Sequence, residues 1–250
     1  NDISLMNNME HINRIVRTKV GNKLVSLSYD NGININVTDF AYQYDILIDV
    51  GHGGSDNGAS NAYIYEKNMN LTLSLYEKCR YEEMGLRVFI IRTDDSYGVA
   101  MGDSSWTILN KRAYAMGYYG AVSKIVYSNH HNSAPNPNAK GFEILTPAQF
   151  DSLANELAIA SAMRSIDPYG GRMYARNYDT GGIYSSNNGE SYNFKNYYCV
   201  IRVPYELFNK KVVIYEGTYL SYLDDYHWYW TNGNWKQMSE AKIKQYVTSV

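Results

Sequence analysis

From Asp45 onward short apolar runs alternate with segments of helical periodicity, and this alternation constrains the fold more than any other feature of the chain. Ile46 to Val50 reads as a strand, and the segment from Lys67 to Met84 carries Leu71, Leu75 and Cys79 at i, i+4 and i+8 before Gly85 stops it. "LRVFII" (86–91) returns as a strand. A second helix has Trp106, Leu109, Ala113 and Met116 on one face, and the strand "KIVYS" (124–128) follows it. "GFEIL" (141–145) reads as another strand, and Phe150, Leu153, Leu157 and Ala160 mark a third helix after Pro147. "YCVIR" (198–202) and "KVVIYE" (211–216) read as two more strands, and Ile243, Val247 and Val250 lie in a closing amphipathic segment. Strands alternating with helices predict an α/β domain whose central, mostly parallel mixed sheet is flanked by helices on both faces.

Residues 1–40 follow a different rule. Val25, Leu27 and Tyr29 alternate with polar residues, "DNG" (30–32) turns the chain, and Ile33, Ile35 and Val37 alternate again. That is a β-hairpin signal, so an N-terminal extension over 1–40 is expected to precede a main domain over 41–250. Between Asp167 and Tyr198 all periodicity is lost while seven tyrosines and five glycines accumulate, which reads as a functional loop in contact with substrate.

Charge and composition remove several classes of partner. With 23 Lys+Arg against 25 Asp+Glu the net charge is −2, so the chain lacks the electrostatic footprint of a nucleic-acid or anionic-membrane binder. No apolar run approaches the ~20 residues that span a bilayer, and no signal peptide opens the chain. A start at Asn1 reads as a fragment whose targeting signals lie elsewhere. Cys79 and Cys199 are too few for a disulfide framework or a Cys-rich zinc site, and both read as core. The 26 tyrosines suit a wet surface that holds an amphiphilic polymer, or reflect a bias of the genome.

In open α/β sheets ligands bind beyond the carboxyl ends of the strands, so polar residues that directly follow strands are the candidates for chemistry. They are His52 in "DVGHGGSDNG" (49–58), Arg92 to Asp95, "SNHHNS" (128–133) and Glu216 at the end of "VVIYE", with Glu66 in the first turn of the first helix. A catalytic zinc typically takes three His or Asp/Glu ligands and keeps one position open, which His52, Glu66 and one histidine of the 130/131 pair would satisfy. Glu216 is then free to take a proton from the attacking water. The glycines around His52 would let the backbone come close to a metal and a substrate. Singly, each residue has a plainer reading: a hydrogen-bonded loop histidine, a carboxylate beside a helix dipole, turn residues, an ion-pair partner. All four plain readings would have to coincide at one sheet edge.

These residues resemble the zinc-dependent N-acetylmuramoyl-L-alanine amidases of the amidase 3 type. The family's Asp-x-Gly-His-Gly-Gly-x-Asp-x-Gly-Ala is matched by Asp49 to Ala59, its Glu-Lys by Glu66-Lys67, and its Arg-Thr-Asp-Asp by Arg92 to Asp95. Its Leu-x-x-Arg is matched by Leu109 to Arg112, its Ser-x-His-x-Asn by Ser128 to Asn132, and its terminal glutamate block by Glu216 to Ser221. The resemblance covers residues 45–250 and leaves 1–40 outside. His131, Asn61, Thr218 and Tyr222 depart from the family's usual residues.

The resemblance implies a phosphorylase/hydrolase-like α/β domain that holds one zinc ion on His52, Glu66 and His130, with Glu216 catalytic. It implies cleavage of the amide between N-acetylmuramic acid and the first L-alanine of the stem peptide, as an extracellular or wall-acting autolysin or endolysin. Asn132, Tyr184 and Arg92 are the expected substrate contacts. The alternatives are a zinc peptidase or carboxypeptidase acting on another wall amide, and a non-catalytic peptidoglycan-binding module.

Overall fold

The computed structural model describes residues 15–20, 23–29, 34–40, 42–61, 64–149, 169–221, 228–231 and 234–237. Strands β1 (Ile15–Val20), β2 (Lys23–Tyr29) and β3 (Asn34–Phe40) form an antiparallel sheet in that order. The expected hairpin is the β2–β3 pair, with Leu27 opposite Ile35, and β1 joins its free edge.

The main sheet is built from β4 (Tyr44–Val50), β5 (Val88–Ile90), β6 (Ser123–Asn132), β7 (Phe142–Leu145), β8 (Gly171–Arg176), β9 (Ile183–Ser185) and β10 (Val213–Tyr219), in the order β5-β4-β6-β10-β7-β8-β9. Strands β5, β4, β6 and β10 are mutually parallel. Strand β7 runs antiparallel to β10 and parallel to β8, and β9 runs antiparallel to β8. A separate antiparallel pair follows, β11 (Trp228–Thr231) with β12 (Asn234–Gln237).

Successive side chains of a strand point to opposite faces, so each face has its own core. On one face Leu47, Val126, Leu145 and Ile214 pack against helices α2 (Ile108–Gly120) and α3 (Cys199–Phe208) through Ala113, Met116, Val203 and Phe208. On the other, Ile46, Ile48, Tyr127, Ile144 and Val213 meet helix α1 (Glu66–Glu83) through Leu71. Helices therefore cover both faces of a mixed sheet. Thr107 caps α2 by accepting the Asn110 N–H at 3.3 Å, and Asn209 ends α3 with a left-handed φ of 48°.

Four expectations change. Residues 198–202 are not a strand: Val200, Val203 and Leu207 share one helical face, a period that the β-branched run and Pro204 disguise. Leu75 and Cys79 are exposed and Cys199 is only partly buried, so neither the apolar stripe on α1 nor two core cysteines survive. The expected loop over 167–198 contributes β8 and β9, because Met173, Tyr174 and Ala175 are buried within it. The expected third helix over 150–160 and the closing segment at 243–250 lie outside the described residues. Among the described residues no helix is long and apolar enough to cross a membrane.

Candidate active site

Strand alternation decides which residues of β6 and β10 meet. His130 and Glu216 are register partners on adjacent parallel strands, so both side chains leave the sheet on the face of α2 and α3. His131, one position on, turns to the α1 face, where its Nδ1 hydrogen donates to Asn70 Oδ1 at 2.7 Å. Burial holds the His131 pKa down to about 4, so its ring stays neutral. After Glu216 the register with β6 slips by one residue before Tyr219.

The loop after β4 brings the second histidine. His52 has φ 61°, in the left-handed region that a β-carbon disfavours. The glycines around it answer a spatial demand. A β-carbon on Gly51 would lie 2.6 Å from the His130 ring, and one on Gly58 would lie 2.4 Å from the His52 ring and 2.5 Å from Glu66 Oε2. His52 Nδ1 faces Asp56 Oδ2 at 2.9 Å, which orients the imidazole and leaves Nε2 for the site.

Glu66, at the first turn of α1, is reached from both sides: His52 Nε2 lies 3.0 Å from Oε2 and His130 Nδ1 lies 2.9 Å from Oε1. The backbone N–H groups of Ala59 and His131 and the Asn70 amide also donate to this carboxylate. Burial alone would raise the Glu66 pKa, but His130 and His52 outweigh it and hold the group well below the usual carboxylate range. Burial likewise pulls His52 down, and Glu66 with Asp56 raises it above its ordinary value.

The donor atoms of His52, Glu66 and His130 all lie within 4.8 Å of one another. Two imidazoles and one carboxylate at that spacing, one imidazole oriented by a second carboxylate, fit a catalytic zinc.

A cavity of about 400 Å³ opens over this cluster, with Ile108, Leu109, Val200 and Ile214 on its walls. Glu216 lines it and has a second carboxylate beside it in the sheet, because Glu216 and Glu143 are register partners on β10 and β7. Glu143 is saturated: it accepts from Arg172 Nε, Tyr219 OH, Asn132 Nδ2 and Tyr174 OH at 2.7–2.9 Å. Glu216 Oε2 is buried and has no hydrogen-bond partner among the described residues. Burial, then the charges of Glu66 and Glu143, push its pKa well above the usual carboxylate value.

Of the other expected residues, Asn132 lines the cavity. Arg92 does not. It is buried with its guanidinium donating to the carbonyls of Val50, Gly51, Lys67 and Asp94, so it fixes the strand-end loops. Tyr184 sits opposite Ala175 on β8, hence on the face away from His130 and Glu216, and packs at a tilt against the rings of Tyr192 and Phe194. Residue reading passed over Glu143, whose signal is a lone carboxylate inside the apolar run "FEIL". It also passed over the pair of Asp49 with Arg112, whose guanidinium Nε lies 3.1 Å from Asp49 Oδ1 at the cavity edge.

A family model described as N-acetylmuramoyl-L-alanine amidase matches residues 46–244. The chain belongs to this family. As a member it is a hydrolase of the peptidoglycan amidase class, and every residue of the site just described falls within the match. No curated protein matches the chain. Among solved structures it is similar to Cwp6 from Clostridium difficile, at 21% identity and a TM-score of 0.53, over 81% of this chain and 27% of that one. It is similar to the N-acetylmuramoyl-L-alanine amidase from Clostridium difficile 630, at 21% identity and 0.52, over 83% of this chain and 92% of that one. The apo amidase Ami1 from Mycobacterium abscessus aligns at 14% identity and 0.50, over 84% and 96%. At these identities the amidase structures testify to the shared fold.

Proposed function

We propose that this cavity hydrolyses the amide between the lactyl group of N-acetylmuramic acid and the L-alanine of the stem peptide, with His52, Glu66 and His130 holding one zinc ion and Glu216 acting as general base. The observation that carries the reading is the buried Glu216 Oε2, without a hydrogen-bond partner among the described residues, in the same cavity as the three donor atoms and beside His130 in register. When bound, zinc supplies Lewis acidity that makes water acidic near neutral pH and polarises a carbonyl.

The chain's own residues do the rest. Glu216 Oε2, which meets no competing donor among the described residues, takes the proton of the attacking water and returns it to the departing amine of L-alanine, a role worth ~10² to 10⁴ in rate. Asp56 holds His52 in one orientation, and the Asp49–Arg112 pair steadies the loop through the Arg112 contact with the His52 carbonyl. Ile108, Leu109 and Val200 keep part of the cavity wall apolar, which strengthens the charges within it. Place of action follows substrate: the bacterial cell wall, outside the membrane.

Product analysis on purified walls, paired with a zinc measurement, tests this. Glu216→Ala should keep zinc and lose nearly all release of L-alanine amino termini, whereas His52→Ala should lose both. Release of D-alanine would mark a carboxypeptidase, release of nothing a binding module, and wild-type activity in the Glu216 variant would remove its assigned role.

A further inference from the structure

Arg176 stands beside the cavity, joined to its wall through Tyr198. It lies two residues beyond Tyr174 on β8, on the sheet face that carries Glu143 and Glu216. Three contacts hold it still: Nε donates to the Gly181 carbonyl at 3.1 Å, Nη1 donates to Tyr198 OH at 3.3 Å, and the guanidinium lies 4.0 Å from the Tyr197 ring centroid. Tyr198 itself lines the cavity. Arg112 and Arg172 on this face are paired with Asp49 and Glu143, but no carboxylate pairs with Arg176 among the described residues.

A guanidinium has five N–H donors, so these contacts leave three, two on Nη2 and one on Nη1. That remaining edge is the fork that a carboxylate fills with two parallel hydrogen bonds. The cavity centre is a poor place for such a group, because Glu66, Glu216 and Asp56 are already there. A peptide carboxylate is therefore turned away from the centre and toward the Tyr198 wall.

We propose that Arg176 is a carboxylate subsite, selecting substrates whose peptide bears a free carboxylate beyond the scissile amide. The inference rests on the amidase reading for the identity of the peptide, and its test separates the two.

The probes are a muramoyl tripeptide with its peptide carboxylates free and the same compound with them converted to carboxamides. On the Glu216→Gln protein, calorimetry should give about tenfold tighter binding of the acid, the lower end for a charge-assisted pair at a half-exposed site. Adding Arg176→Gln should abolish that ratio and leave the carboxamide's affinity within about twofold, while Arg176→Lys should retain part of it. A ratio that survives Arg176→Gln overturns the subsite. So does a ratio near one with Arg176 present, an equal loss of affinity for both compounds, or binding of neither. Cleavage of either compound by the wild-type protein reports independently on the amidase reading.

Discussion

Helix α3 buries Val200, Ile201, Val203, Leu207 and Phe208, whereas α1, on the opposite face of the same sheet, buries Glu66, Lys67, Asn70 and Ser74 with Leu71 as its one apolar buried residue. The polar face of α1 has an equally polar partner. Asn129 donates to Ser74 Oγ and Glu77 Oε2, Tyr127 OH donates to Glu77, and His131 donates to Asn70. Hydrophobic burial is non-directional and tolerates small shifts, but a hydrogen-bonded face admits one register. The difference separates two tasks: α3 holds the domain together, and α1 fixes where Glu66 sits between two histidines.

The comparison breaks first at Glu66. Glu66→Ala should lose zinc and reduce amidase activity by more than ~100-fold, the most that losing a mere hydrogen-bond partner of a ligand typically costs. Zinc content and wall hydrolysis read this directly, and an active, zinc-loaded Glu66→Ala protein would deprive α1 of its task. Next comes Phe208, which is 1% exposed and packs edge-on against Tyr114 over Gly117. Phe208→Ala should lower unfolding free energy by about 3–5 kcal/mol in a denaturant titration, while the molecules still folded keep their activity.

The same contrast explains what could be read before the structure. Strands β4, β6 and β10 are apolar runs whose polar ends converge on one cavity with Glu66 of α1, so the gathering of His52, Glu66, His130 and Glu216 was legible from strand position together with the family pattern. The choice between His130 and His131 was open to residue reading because both histidines follow the same strand; it is alternation against β10 that separates their faces. Helix α1 was legible as a helix but not in phase, since periodicity of apolar residues carries no information about a face that buries polar ones. Arg92 was expected at the cavity for a related reason. Proximity to a strand end in sequence does not say whether a guanidinium faces the cavity or the backbone behind it.

Glu77 sharpens the comparison through pH. Burial raises its pKa to about 7, while Tyr127 and Asn129 donate to its Oε2 at 2.9 and 2.6 Å. A carboxyl whose folded pKa lies above its unfolded value near 4.5 contributes stability in full below that value and loses it as pH rises to about 7. Glu77→Gln keeps an acceptor oxygen for both donors and carries no charge to bury. It should be more stable than wild type by about 2 kcal/mol at pH 8, with the gap closing toward pH 4. A gap that does not change between pH 4 and pH 8 would mean that the polar face of α1 holds no strained carboxyl.

The smallest effects test the phase of α1 itself. Leu75 and Cys79 continue the apolar spacing begun by Leu71, and a helix buried along that spacing would feel their loss as core truncation, about 2–5 kcal/mol for leucine. Both are instead exposed, with Cys79 Sγ 3.6 Å from Glu83 Oε1 on the outer surface. Leu75→Ala and Cys79→Ser should each shift stability by no more than about 0.5 kcal/mol, since neither leaves a cavity or an unpaired buried group. Thermal and denaturant melts of the two variants decide it: a loss of 2 kcal/mol or more in either would rotate α1 onto its apolar stripe, carrying Asn70 and Ser74 away from β6 and removing the polar face from which Glu66 is aimed.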